Sequence, residues 1–143
     1  MLSKRQAKLF FIGGTAFFAL IFLGLSIDTL LNGIPKNTHS ENLTPQVARG
    51  KYLWEKSNCM GCHTIMGEGA YYAPELTRVY QRRGPEFIKT VFNFPGGWRP
   101  NRRRMVQYNF SEEEKEDLVA FLEWVNNMEL NGFPPEPTLK DKR

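Results

Sequence analysis

The chain holds two cysteines, Cys59 and Cys62, in the run Asn-Cys-Met-Gly-Cys-His, with His63 directly after the second. Two thiols at this spacing on one turn can each form a thioether to a vinyl group of a porphyrin. The adjacent imidazole then reaches the iron from one face. C-x-x-C-H is the attachment signature of c-type haem. A zinc site would need two further Cys or His ligands, and only His39 remains. A thioredoxin-like redox pair would need a βαβ context, and strand signals are nearly absent. A disulfide across so short a loop would staple almost nothing.

Haem iron needs a ligand on its other face, where methionine or histidine is usual in cytochromes c. Met1 precedes the apolar N-terminal run, Met60 lies inside the motif, and Met66 follows His63 by three residues on the same side. Met128 falls within or at the end of the last helical segment. Met105, in a loop before that helix, is by elimination the expected distal ligand. A packing role for Met105, ligation by His39, and an open site stay as alternatives. His/Met ligation fills the coordination sphere and leaves no place for substrate. One-electron transfer then follows, with the thioether raising the potential. No Ser-His-Asp set, carboxylate-metal cluster or phosphate loop competes with this role.

The elements that must position these residues divide by composition. Leu9 to Ile27 carries no charge over 19 residues. As a helix it is about 28 Å long, close to the ~30 Å hydrocarbon thickness. A cleaved signal peptide has a shorter apolar region and a small-residue cleavage site, and neither is present. Lys4, Arg5 and Lys8 precede the run and Asp28 follows it, which puts the N-terminus on the cytoplasmic side. The expected organisation is a tip and anchor over 1–31, a polar linker over 32–43, and a periplasmic domain over 44–143. The net charge of +4 divides evenly, +2 from residues 1–31 and +2 from 32–143. No aromatic-basic pattern marks a nucleic-acid surface.

Four helices are predicted in the domain. Thr44-Pro45 is an N-cap followed by proline at the first helical position. A second helix is predicted from Pro74 through Arg83 and a third from Pro85. The fourth starts at Ser111, where Glu114 completes a capping box, and carries the stripe Leu118, Phe121, Leu122 and Val125. It is expected to end near Asn131-Gly132, before the Pro134-Pro135 pair. Gly50 reads either as an incidental helix glycine, at a cost of ~1 kcal/mol, or, as favoured here, as a close crossing of the first and fourth helices near Trp124. The acidic run Glu112–Asp117 favours a helix N-terminus, with a docking patch for a basic redox partner as the functional reading. Arg99, Arg102, Arg103 and Arg104 cluster before Met105, suited to haem propionates or a protein partner.

The runs "CMGCHTIMGEGAYYAPEL" and "RRRMVQYNFSEEE" resemble the haem c-carrying subunit of bacterial cytochrome c-dependent nitric oxide reductase. The likeness spans nearly the whole chain. It implies an all-α fold: a single N-terminal transmembrane helix followed by a small class I-type cytochrome c domain. It implies a bacterial inner-membrane protein that takes electrons from a soluble cytochrome c or a cupredoxin. These pass through haem c to haem b of a large catalytic subunit, where NO is reduced to N2O. The family's thioether cysteines match Cys59 and Cys62, and its iron ligands match His63 and Met105. It also implies a calcium ion at the subunit interface, bound through the backbone carbonyls of Gly69 and Tyr71. Two rival readings are a free-standing anchored cytochrome c serving a terminal oxidase, and a haem-based gas sensor or peroxidase with a labile Met105.

Overall fold

A computed structural model of the protein describes residues 3–93 and 103–132. The chain divides into two units at Asn37/Thr38. Trp98, Arg99, Arg102 and the Pro134-Pro135 pair lie outside the described residues.

The first unit is helical. Helix α1 (Lys4–Asp28) starts at a capping box formed by Ser3 and Gln6, and none of its residues is buried. A wide turn, Thr29–Gly33, continues it, with the Ile34 N–H donating to the Thr29 carbonyl five residues back. Helix α2 (Ile34–Thr38) follows. The segment expected to be linker from residue 32 is therefore helical as far as Thr38. Pro35 has no N–H to give, and its ring clashes with the carbonyl four residues back. The wide turn sits where that conflict falls and lets the helix pass the proline. Together Lys4–Thr38 make 35 helical residues, long and apolar enough to cross a membrane.

Among the described residues, the second unit is helical with one small hairpin. Helix α3 (Pro45–Lys56) is capped by Thr44, whose hydroxyl accepts from the Val47 N–H. Strands β1 (Thr64–Ile65) and β2 (Glu68–Gly69) pair antiparallel, Thr64 opposite Gly69 and Ile65 opposite Glu68. Met66 (φ 51°) and Gly67 (φ 84°) join them. Two consecutive positive φ values give the two-residue turn whose twist matches paired strands. This hairpin was not expected.

Helices α4 (Val79–Arg83) and α5 (Pro85–Phe92) follow, and α6 (Glu112–Asn126) is the last helix among the described residues. The helix predicted from Pro74 is thus confined to its last turn, because earlier groups are committed elsewhere. The Leu76 N–H donates to the Thr64 carbonyl at 2.9 Å and the Thr77 N–H to Glu75 Oε1 at 2.6 Å. Helix α6 begins at the expected capping box of Ser111 and Glu114. It ends at Asn126, earlier than expected. There the Asn126 side chain accepts from the Gln81 N–H at 3.1 Å, and Arg78 donates to the Met128 carbonyl at 3.1 Å. These ties fasten the end of α6 to α4, while Asn131 and Gly132 take positive φ in the turn beyond.

The core is the α3–α6 interface. Val47, Leu53 and Trp54 meet Leu118, Phe121, Leu122 and Val125, with Val79, Ile88 and Met128 completing the cluster. Full burial of a side chain of this size contributes about 1.5–3 kcal/mol. Gly50 is where the two helices touch, opposite Asp117 and Phe121, one to two turns before the expected Trp124. A Cβ there would lie 1.9 Å from the Asp117 carbonyl oxygen and 2.8 Å from the Phe121 Cβ. Beside it Arg49 holds the buried Asp117 carboxylate in two hydrogen bonds, of 2.7 and 2.8 Å.

Gly50→Ala is expected to destabilise the domain by about 1–3 kcal/mol, the usual range for an overpacked core. Thermal unfolding of the purified domain checks this, and an unchanged midpoint would contradict the close crossing.

Candidate functional site

The motif sits on the turn that ends α3. Asn58 takes a left-handed conformation (φ 52°), so the chain reverses there. The N–H groups of Cys62 and His63 both donate to the Cys59 carbonyl, at 3.1 and 2.9 Å. The Gly61 N–H donates to the Asn58 carbonyl at 3.0 Å. Two thiols and one imidazole therefore share a single tight turn. Both thiols are free and half-buried. Burial pushes the Cys59 thiol up to about 11, so it is a protonated thiol at neutral pH and not a primed thiolate nucleophile.

The His63 ring is oriented by the backbone. Its Nδ1 lies 2.7 Å from the Pro74 carbonyl oxygen. A carbonyl only accepts, so Nδ1 carries the proton and Nε2 keeps its lone pair. This is the arrangement by which outer groups orient a metal-ligating histidine. Burial lowers the His63 pKa, with the Pro74 carbonyl acting in the opposite direction. The neutral, ligating form is favoured as a result. The Trp54 ring is 6.4 Å from His63 and 6.0 Å from Phe121, which connects the imidazole to the α3–α6 core.

Pro74 reaches His63 because the stretch 68–76 folds back along the motif. Ala70 N–H donates to the Met60 carbonyl (2.9 Å), Ala73 N–H to that of Cys62 (2.8 Å), and Leu76 N–H to that of Thr64 (2.9 Å). The close approach requires a glycine at 69: with φ +117°, a Cβ there would lie 2.2 Å from the His63 carbonyl oxygen. Thr77, fully buried, accepts from the Met66 N–H at 2.7 Å and donates to Glu75. Tyr71 and Tyr72 are exposed at the bend of this stretch.

Met105 is half-buried in an irregular stretch leading to α6. Ties hold that stretch on either side of it. Arg103 Nη1 donates to the Tyr72 carbonyl at 2.6 Å, and the guanidinium lies over the Tyr72 ring at 4.9 Å. Tyr108 donates its hydroxyl to the Ser57 carbonyl at 2.9 Å and stacks on Phe110 at 5.0 Å. Met128 is a core residue, 6 % exposed. His39 is engaged at the start of the domain: its carbonyl accepts from Trp124 Nε1 (3.3 Å), and its Nδ1 faces Glu41. The sequence singled out Cys59, Cys62, His63 and Met105, but it missed the Pro74 carbonyl, Thr77 and Tyr108. A carbonyl acceptor leaves no mark in residue type. Only the order of Pro74 after a glycine-rich turn hinted at a return.

The acidic run is largely consumed within the domain. Glu114 completes the cap, Glu112 pairs with Lys115, Glu116 with Lys89, and Asp117 with Arg49. Arg103 is spent on backbone carbonyls. Among the described residues, no three His, Cys, Asp or Glu side chains converge to hold a metal. The donor set at the motif, two thiols plus an imidazole with Nε2 available, instead fits covalent haem.

Fold and motif together define a c-type cytochrome, and the cytochrome c family matches residues 47–126. The likeness to curated proteins extends beyond that domain. The chain is 41 % identical to the C subunit of nitric oxide reductase from Stutzerimonas stutzeri over 140 residues, covering 93 % of this chain and 94 % of that protein. It is 40 % identical to the corresponding protein of Halomonas halodenitrificans over 145 residues (95 % and 96 %). To that of Paracoccus denitrificans it is 35 % identical over 143 residues (94 % and 95 %). The chain belongs to the family of nitric oxide reductase C subunits, which are c-type cytochromes, and its role is electron transfer.

Thr77→Val keeps the shape but removes the acceptor for Met66 and the donor to Glu75. A net loss of about 1–3 kcal/mol is expected for the partner left unsatisfied. Denaturant unfolding reads it, and an unchanged midpoint would show that this turn does not depend on the Thr77 hydroxyl.

Proposed function

We propose that this chain is the haem c electron-transfer subunit of a membrane nitric oxide reductase. Cys59 and Cys62 would hold the porphyrin through thioethers, His63 would bind iron through Nε2, and Met105 would bind it from the other face. Covalent haem c supplies a one-electron couple when bound. This chain's residues would attach it, orient the imidazole and supply both iron ligands, leaving no place for substrate. Electrons would arrive from a soluble cytochrome c or a cupredoxin and leave for haem b of a large catalytic membrane subunit. There, in the complex, two NO, two electrons and two protons become N2O and water.

The observation that carries this reading is identity of 35–41 % running through anchor and domain alike, to proteins that all bear the name of the nitric oxide reductase C subunit. A likeness restricted to the cytochrome domain would support no more than a generic electron carrier. The basic residues Lys4, Arg5 and Lys8 before the apolar helix support a cytoplasmic N-terminus. The haem domain would then lie on the periplasmic side of the bacterial inner membrane.

The carbonyls of Gly69 and Tyr71 are the proposed contribution to an interfacial calcium ion. Carbonyl oxygens are normal calcium ligands, and the chain bends outward at Tyr71, which is 76 % exposed. Arg103 favours the Tyr72 carbonyl, standing 3.5 Å from that of Tyr71. With no carboxylate cluster among the described residues, the remaining ligands would come from the partner.

Mild detergent extraction is expected to yield the chain with a b-type haem protein and NO-consuming activity. Recovery of the chain alone, without haem b or NO consumption, would refute the complex and favour a free-standing cytochrome. Met105→Ala is expected to abolish the methionine-to-iron charge-transfer band and lower the haem c potential. An intact band would refute that ligand. Calcium is expected in washed, active complex by metal analysis, and its absence would refute the interfacial ion.

A further inference from the structure

The two residues proposed as axial ligands are anchored to one short stretch of backbone. The Pro74 carbonyl holds His63 Nδ1 at 2.7 Å. Two residues earlier, the Tyr72 carbonyl receives Arg103 Nη1 at 2.6 Å. Arg103 is itself two residues before Met105. The stretch between is not free to drift, because its Ala73 N–H is bonded to the Cys62 carbonyl inside the motif.

We propose that Arg103 is a positioning residue for the sixth iron ligand, clamping the Met105 loop to the Tyr72–Pro74 backbone that also orients His63. The proposal rests on the reading of Met105 as a ligand. The clamp suits an arginine in particular. Its Nη1 donates to the Tyr72 carbonyl at 2.6 Å while the planar face of the guanidinium lies on the Tyr72 ring at 4.9 Å. A lysine offers a point charge without that planar match. The clamp also differs from the tie on the other side of Met105. Tyr108 fastens the loop to Ser57 at the end of α3, which is scaffold. Arg103 fastens it to the segment that controls the opposite ligand. Losing the clamp would leave the methionine free to depart more often without unfolding the domain.

Imidazole competition at the ferric haem c of the full-length, haem-loaded protein measures this. Imidazole must displace the methionine, so weaker methionine binding appears directly as tighter imidazole binding. Arg103→Gln is expected to bind imidazole roughly three- to tenfold more tightly, the ratio that a typical net hydrogen-bond contribution gives. In a Met105→Leu background, with no methionine to displace, the same substitution is expected to change nothing. An unchanged affinity of Arg103→Gln in the native background overturns the proposal. So does an equal effect in both backgrounds, which would mean that Arg103 acts elsewhere. If Met105→Leu retains the charge-transfer band, the ligand assignment fails and the clamp falls with it. That outcome is distinguishable from failure of the clamp alone, in which the band is lost but Arg103→Gln is silent. Should Arg103→Gln fail to load haem, Tyr72→Leu decides, since it keeps the carbonyls and removes only the ring. Roughly two- to fivefold tighter imidazole binding supports the clamp, and no change overturns it.

Discussion

The hydrogen bond between His63 and the Pro74 carbonyl is the constraint around which this domain is arranged. It needs a backbone acceptor eleven residues downstream to return to the imidazole edge. The return is made by the Met66-Gly67 turn, the small hairpin, and three backbone hydrogen bonds from Ala70, Ala73 and Leu76 into the motif. Each of these commits backbone groups that a helix would otherwise use. The segment 74–78 is consequently irregular, with a turn at Thr77-Arg78, despite residues that read as the start of a helix. The same bond fixes the imidazole tautomer, which leaves Nε2 as the available ligand.

Behind that turn, two helices give the motif something rigid to stand on. Helices α3 and α6 approach closely enough at Gly50 that no side chain fits between Gly50 and Asp117. Trp54 transmits the contact, meeting Phe121 on one side and His63 on the other. A domain of about this size is marginal on buried area alone, and an apolar, covalently held porphyrin would add to the burial. Chemistry and stability are therefore coupled at the motif: the group proposed to carry the electron would also complete the core.

The sequence was legible wherever a residue type performs its role through its own side chain. Thr44, Ser111 and Glu114 cap helices as their types require, and Gly50 marks a crossing. The Leu118–Val125 stripe faces the core, and the C-x-x-C-H run lies on a single turn. It was less legible where the backbone does the work. Pro74 looked like a helix start and is an acceptor. Met66-Gly67 makes a hairpin turn without the asparagine or aspartate that usually announces one. Pro35 looked like linker, yet a wide turn carries the helix past it. The acidic run was ambiguous because charge density alone does not reveal partners. Lys89, Lys115 and Arg49, remote in sequence or hidden on the same helix, absorb much of it.

The central claim is that electrons enter the complex through this chain. Rapid mixing of the oxidised, detergent-purified complex with a reduced soluble cytochrome c or cupredoxin tests it most directly, with haem c and haem b followed separately by absorbance. The account predicts that haem c is reduced first, at a rate no slower than turnover, and that haem b follows from it. Reduction of haem b without prior reduction of haem c, or haem c reduction slower than NO turnover, would contradict it.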